Sequence, residues 1–367
     1  QMNPLNDLLH DPVVVRQWDV ERWNRFLPLA RNARLLGRCL HLFEEHGLLD
    51  CVPGRIIDQL RGALLQTHYV QVQALREFRQ VARKLDQEAV PVIALKGVAY
   101  VAASLPPAPW RGLSDIDLLV PEQDIERAER VLMRFGWIPS GEFDSYDQHY
   151  YRDWMHEVPP LRHYVRGVEV DLHHNLAPPV SRIRIDAALL WERSVEQGDL
   201  GGRPVRVLGP ADMLLHNAVH LFMNDELRGG LRDVMDFRDL FEHFLHQDPE
   251  FEQRLLARAR ELGCGRPLYY AVSSAQSLAG LAPPERLLRE VGRDAPPYPL
   301  ARFMAWLIEQ ALAPQRLGLK RSGFANRLLF VRSHWVRMPP GMLLRHLFHK
   351  GFKSKKKPEV NAADLPG

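Results

Sequence analysis

Two carboxylates one residue apart, Asp115 and Asp117, lie in the apolar run Ser114-Asp115-Ile116-Asp117-Leu118-Leu119-Val120. Side chains alternate across a strand, so both acids are expected on one face, with Ile116 and Leu118 on the other. Two anions held about 7 Å apart or closer repel each other, and a bound divalent cation is the usual relief. The pair therefore reads as a magnesium site. Upstream, Ala89 to Leu95 reads as a buried strand running into Lys96-Gly97 and then a helix from Val98 to Ser104. A strand that breaks at glycine into a helix leaves backbone N–H groups and a positive dipole end where a phosphate can sit. Lys96 adds a full charge there, and Arg111 and Ser114 supply further phosphate donors. Downstream, Gly167-Val168-Glu169-Val170-Asp171-Leu172-His173 alternates, so Glu169, Asp171 and His173 share one face. Asp171, set between apolar neighbours as Asp117 is, is the expected third metal-binding carboxylate. A phosphate cradle beside such acids suits chemistry on a nucleoside triphosphate.

Taken together, Leu95-Lys96-Gly97, Arg111, Ser114 to Val120 and Val170-Asp171-Leu172-His173-His174 resemble the DNA polymerase beta-like nucleotidyltransferase superfamily. The likeness is narrower still to a branch of uncharacterised bacterial nucleotidyltransferases that carries Lys-Gly where other members have Gly-Ser. It extends over roughly residues 88 to 250, since His216, His220 and Arg232-Asp233-Val234-Met235-Asp236 look like that branch's helical half. The resemblance implies an α+β fold in which a small mixed sheet is flanked by helices. It also implies magnesium, and transfer of a nucleotidyl group from a nucleoside triphosphate (NTP) to a hydroxyl-type acceptor. In that scheme two magnesium ions about 3.5 to 4 Å apart activate the acceptor and stabilise departing pyrophosphate. Asp115 and Asp117 would bridge the ions and Asp171 would hold the one nearer the acceptor. Lys96, Gly97, Arg111, Ser114 and His173 would attend the nucleotide, His173 because it shares the face of Asp171.

Other candidates carry less chemistry. His216 and His220 are four apart, a spacing that can put two imidazoles on one metal. They lack the intervening glutamate of a His-Glu-x-x-His hydrolase, so buried or supporting histidines are the expected reading. Asp233 and Asp236, with Arg228 and Arg232, are expected to knit the helical layer or line the acceptor cleft. Tyr146 and Tyr150, in an aromatic stretch that leads to Trp154, His156 and His163, are of a type that stacks on a base, but packing is the expectation. The rival to an enzyme is a catalytically weak nucleotide-binding module acting through its helices, and a zinc hydrolase at His216 and His220 is a third reading.

The elements that must position these residues are mostly helical. Leu35, Leu36, Cys39, Leu40 and Phe43, then Leu60, Leu64, Leu65, Val72 and Leu75, fall at helical spacing, punctuated by Gly47 and Pro53-Gly54. Residues 1–87 are thus an N-terminal helical subdomain, 88–208 the catalytic core, 209–330 a C-terminal helical subdomain and 331–367 a basic tail. An amphipathic helix over 122–135 should end at Gly136, before a strand at Trp137-Ile138. At 367 residues and 46% hydrophobic, the chain can bury substantial cores. Cys39, Cys51 and Cys264 are too few and too scattered for a disulfide framework or a zinc ribbon. Nowhere do 18 apolar residues run together, so no transmembrane segment is expected and a cytoplasmic location is the simplest. Residues 301–367 hold 13 Lys and Arg against three acids, a local +10 in a chain of net +3, which leaves −7 elsewhere. Contact with a polyanion such as RNA or with a membrane surface, or a solvated tail, suits that basic end. The acceptor is left open among small molecule, RNA end and protein side chain.

Overall fold

The structure, a computed structural model, describes residues 3–141, 144, 146, 150–199, 203–223, 227, 229–312 and 323–345. Its strands are β1 (Ile93–Ala94), β2 (Asp115–Leu119), β3 (Trp137–Pro139), β4 (Leu161–His163), β5 (Glu169–His173), β6 (Val195–Asp199) and β7 (Pro204–Val207). They form one mixed sheet in the order β3-β4-β5-β2-β1-β7-β6, with β2 parallel to β5, β1 parallel to β7 and the other neighbours antiparallel. Helices α1 (Pro4–His10), α2 (Val20–Asn32), α3 (Leu36–Glu45) and α4 (Gly54–Gln87) precede it. Within it come α5 (Lys96–Ala102), α6 (Ile125–Arg134) and α7 (Ala187–Glu192). After it follow α8 (Pro210–Met223), α9 (Leu231–Gln247), α10 (Phe251–Glu261), α11 (Gly265–Ala279), α12 (Glu285–Gly292), α13 (Tyr298–Leu312) and α14 (Gly323–Arg337). This is the α+β class with helices on both sides of the sheet in the chain. None of the described helices is long and apolar enough to cross a membrane.

Local chemistry explains where elements begin. The strand expected over 89–95 contracts to Ile93–Ala94, because Pro91 has no N–H to give a ladder. The helix after it starts at Lys96, two residues earlier than expected, with Leu95 extended as its cap. Around 122–135 the chain first makes a short tight turn over Glu122–Asp124 and only then α6, which ends before Gly136 at φ +95°. The strand after it is present as β3. In β2, Ile116 and Leu118 are wholly buried, so the central strand is anchored by its apolar face.

Packing then ties the helices around the sheet. Nearly every residue of α8 is buried, as expected of a helix apolar on most of its circumference. Two parallel hydrogen bonds of 2.5 and 2.8 Å from Arg258 to the Asp212 carboxylate hold α10 against it. Arg38 on α3 grips Asp239 on α9 in the same forked way, with one bond of 2.7 Å, joining the first helices to the later ones. Cys39, Cys51 and Cys264 are free thiols.

Candidate active site

The acids meet because β2 and β5 run parallel in register, with Asp117 opposite Asp171 and Asp115 opposite Glu169. Val120 N–H donates to the His173 carbonyl at 2.9 Å, which extends the pairing past the end of β2. On the other side, Leu95 N–H donates to the Asp117 carbonyl at 3.0 Å and delivers Lys96 to the same spot. Lys96 is itself left-handed, at φ +48°, a conformation that costs a non-glycine residue about 1–3 kcal/mol and is kept where contacts over-determine it. Its Nζ donates to Asp117 Oδ1 at 2.6 Å. Gly97 lets α5 approach the loop leading into β2 closely: a Cβ there would stand 2.5 Å from Leu113 Cδ2, so the Leu113 side chain would have to move to admit one.

His173 Nε2–H donates to the same Asp117 oxygen at 3.1 Å, while its Nδ1 lies 3.3 Å from Glu157 Oε2. Ser114 Oγ–H donates to Asp115 Oδ1 at 3.0 Å. Charges here are unevenly satisfied. Burial works to raise the Asp117 carboxyl, but Lys96 and His173 outweigh it and hold the group far below the usual carboxylate range. At Asp171 the balance is reversed: burial, then repulsion from Asp117, outweigh His173 and push it up to about 7, and its Oδ1 is buried without a hydrogen-bond partner. Asp115 is raised by burial and by Asp117. Lys96, which burial would discharge, is kept charged by Asp117.

Two cavities flank this cluster and share Lys96, Asp115 and His220 as a common wall. The first, about 200 Å³, is cationic, with Arg34 and Arg232 joining Lys96, and Gly97, Ser114 and Asp117 at its edge. The second, about 220 Å³, is lined by Asp171, His156, Glu157, His173 and His216. The three histidines His156, His216 and His220 are held neutral by burial and by nearby positive charge, His216 down to about 3.

Arg111 sits at the cationic cavity, but its guanidinium is already bound: Nη2 donates to Asp233 at 3.0 Å and Nε lies 2.6 Å from Asp236 on α9. Asp233 and Asp236 thus knit α9 to the loop before β2, one of the two roles expected of them. Arg232 lines the cavity and donates to the Gly112 carbonyl at 3.2 Å, whereas Arg228 and most of the basic tail, residues 346–367, lie outside the described residues. Tyr146 and Tyr150 make edge-on ring contacts with Trp154 at 5.9 and 6.0 Å and line neither cavity, so they pack. His216 and His220 sit on one wall with ring centres 6.3 Å apart.

Two site residues, Arg34 and Glu157, were not named from the sequence, and His156 was named only as part of the aromatic stretch. Arg34 lies about 80 residues before the acidic strand, in a left-handed turn after α2, and no spacing pointed to it. Glu157 and His156 follow the aromatic stretch, and the facing His173-His174 pair was their only signal. Among the described residues, three metal-competent side chains whose ligand atoms all lie within 4.8 Å of one another are His156, Glu157 and His173, rather than the three aspartates. Lys96 occupies the flank of Asp117. Residues 19–280 match the model of a family described as uncharacterised nucleotidyltransferase. No curated protein matches the chain.

Proposed function

Because the chain belongs to that nucleotidyltransferase family, we propose that it moves a nucleoside monophosphate from an NTP to a hydroxyl acceptor, dependent on magnesium. The observation that carries this reading is the Asp117–Asp171 pair in adjacent parallel strands, with one buried carboxylate oxygen left over. Lys96 and His173 pair with Asp117, and His173 with Glu157, while Asp115 and Asp171 have no ion pair among the described residues, a local excess of carboxylate that fits a divalent ion. Asp115, Asp117 and Asp171 are the residues that would hold it. Bound magnesium supplies positive charge that activates the acceptor hydroxyl and neutralises the leaving pyrophosphate.

The protein's own part is positioning and electrostatics. Lys96, Arg34 and Arg232 take the triphosphate in the cationic cavity, whereas Arg111 fixes the wall through its two aspartates. The acceptor enters the histidine-lined cavity. Its oxygen bonds to the α-phosphorus as the bond to the β-phosphate oxygen breaks, and its proton passes to the unpartnered carboxylate of Asp171. The acceptor class is a hydroxyl on a small molecule, RNA end or protein, in the cytoplasm where NTPs are abundant.

The test is incubation with each α-labelled NTP, magnesium and a fractionated cell lysate. Label should move to one fraction with release of pyrophosphate. Absence of transfer and of pyrophosphate with every NTP, or equal transfer by Asp115→Asn and Asp117→Asn proteins, rejects the reading.

A further inference from the structure

We propose that His156, Glu157 and His173 form a zinc site beside the three aspartates, with an open position toward the histidine-lined cavity. The site does not rest on nucleotidyl transfer. A short antiparallel bridge builds it: Val158 N–H donates to the Leu172 carbonyl at 3.0 Å and His174 N–H to the His156 carbonyl at 2.8 Å, on either side of the Glu157–His173 pair. Residues facing each other between such bonds carry their side chains closest together. The His156 ring centre lies 5.4 Å from that of His173.

The donor set and its spacing suit zinc. Two imidazoles and one carboxylate are the ligands of catalytic zinc sites that keep a fourth position open. Bonds of about 2.0–2.1 Å in a tetrahedron require ligand atoms about 3.3 Å apart. The His173 Nδ1 to Glu157 Oε2 separation is 3.3 Å. His173 gives its Nε2–H to Asp117, the carboxylate-backed arrangement that metal-binding histidines use, and turns Nδ1 to Glu157, where a bound zinc would take the place of the proton. His156 adds an independent sign, a buried Nδ1 with no hydrogen-bond partner. The fourth position opens on the cavity that Asp171 also lines, where water or an acceptor oxygen can coordinate.

The experiment uses the full chain, stripped by chelation and titrated with Zn2+ against a chromophoric chelator, without nucleotide. One zinc per chain is expected. His156→Ala and Glu157→Gln should each weaken it by at least ~100-fold, beyond the roughly 10–100-fold typical of residues that only support a ligand. His216→Ala, on the same cavity, should change it less than tenfold. Anomalous scattering at the zinc edge from crystals of the unaltered protein locates the ion even if a variant fails to fold. A peak between His156, Glu157 and His173 supports the site. No stoichiometric zinc, a peak elsewhere, or loss of zinc in His216→Ala but not in His156→Ala overturns it. Because nucleotide is absent throughout, the outcome is separate from that of the transfer assay.

Discussion

Two ionic clusters on the walls of one cleft use the same residue types to opposite ends. Around Arg111, the guanidinium meets Asp233 and Asp236, and Arg232 stands 3.7 Å from Asp233, so charge is balanced within the protein. Around Asp117, Lys96 and His173 pair with Asp117 and Glu157, while Asp115 and Asp171 have no ion pair among the described residues and one Asp171 oxygen is left unmatched. A closed cluster needs nothing from solution and holds elements together, whereas an open one stores repulsion that a bound cation, or a proton on Asp171, relieves. Burial does not separate them, since Arg111 and Asp117 are both under a tenth exposed. Net charge does.

The largest expected effect lies in the open cluster. Asp115→Asn should reduce turnover by about 10⁴-fold or more, roughly 5.5 kcal/mol of transition-state stabilisation, with the urea midpoint almost unchanged. A variant that keeps turnover within tenfold would end the comparison. Next is the closed cluster. Arg111→Met leaves the buried Asp236 without its paired cation, Asp233 keeping Arg232, and should lower unfolding free energy by about 3 kcal/mol, measured by urea denaturation with and without magnesium. An equally stable Arg111→Met protein would mean that Arg111 is held for the nucleotide instead.

A smaller effect sharpens the contrast. Magnesium at 100 times its dissociation constant should stabilise the unaltered protein by about 2.7 kcal/mol, seen as a rise in melting temperature. Asp171→Asn should abolish that rise, and Asp236→Asn, in the balanced cluster, should leave it intact. If both variants lose it, the two clusters are one electrostatic unit.

The sequence revealed the acids better than their counter-charges. Asp115, Asp117 and Asp171 lie in strands where a period of two and apolar neighbours mark the face, and the parallel register of β2 on β5 is what then sets Asp117 opposite Asp171. The same reasoning found α8 and the strand after Gly136. It had no means of pairing Arg111 with Asp233 and Asp236, more than 120 positions away, because a helix packed on a sheet leaves no periodic trace of which charged tip it touches. Arg34 was invisible for the same reason. Glu157 was hidden by its setting: a two-residue bridge has no alternation to read. Short strands also misled the boundaries, since Pro91 limits β1 to Ile93–Ala94 while the apolar run continues on both sides.

The smallest effect concerns the neutral histidines between the two clusters. His216 is 4% exposed, and burial, aided by Lys96 and His173, lowers it to about 3 from an ordinary 6.5. Above the ordinary value neither the folded nor the unfolded chain protonates it, so it costs nothing. As pH falls below 6.5 the unfolded chain binds a proton that the folded chain refuses, and stability declines until about pH 3. The limiting slope for one such group is about 1.4 kcal/mol per pH unit. His216→Gln cannot titrate there, so its unfolding free energy should fall less steeply than that of the unaltered protein between about pH 6 and 4.5. Urea denaturation at several pH values measures the difference between the two slopes, in which every group the proteins share cancels to first order. Equal slopes would mean that His216 accepts its proton in the folded state. The histidine wall would then be a charged one, and the surplus of negative charge that sets the open cluster apart from the closed one would be smaller by that proton.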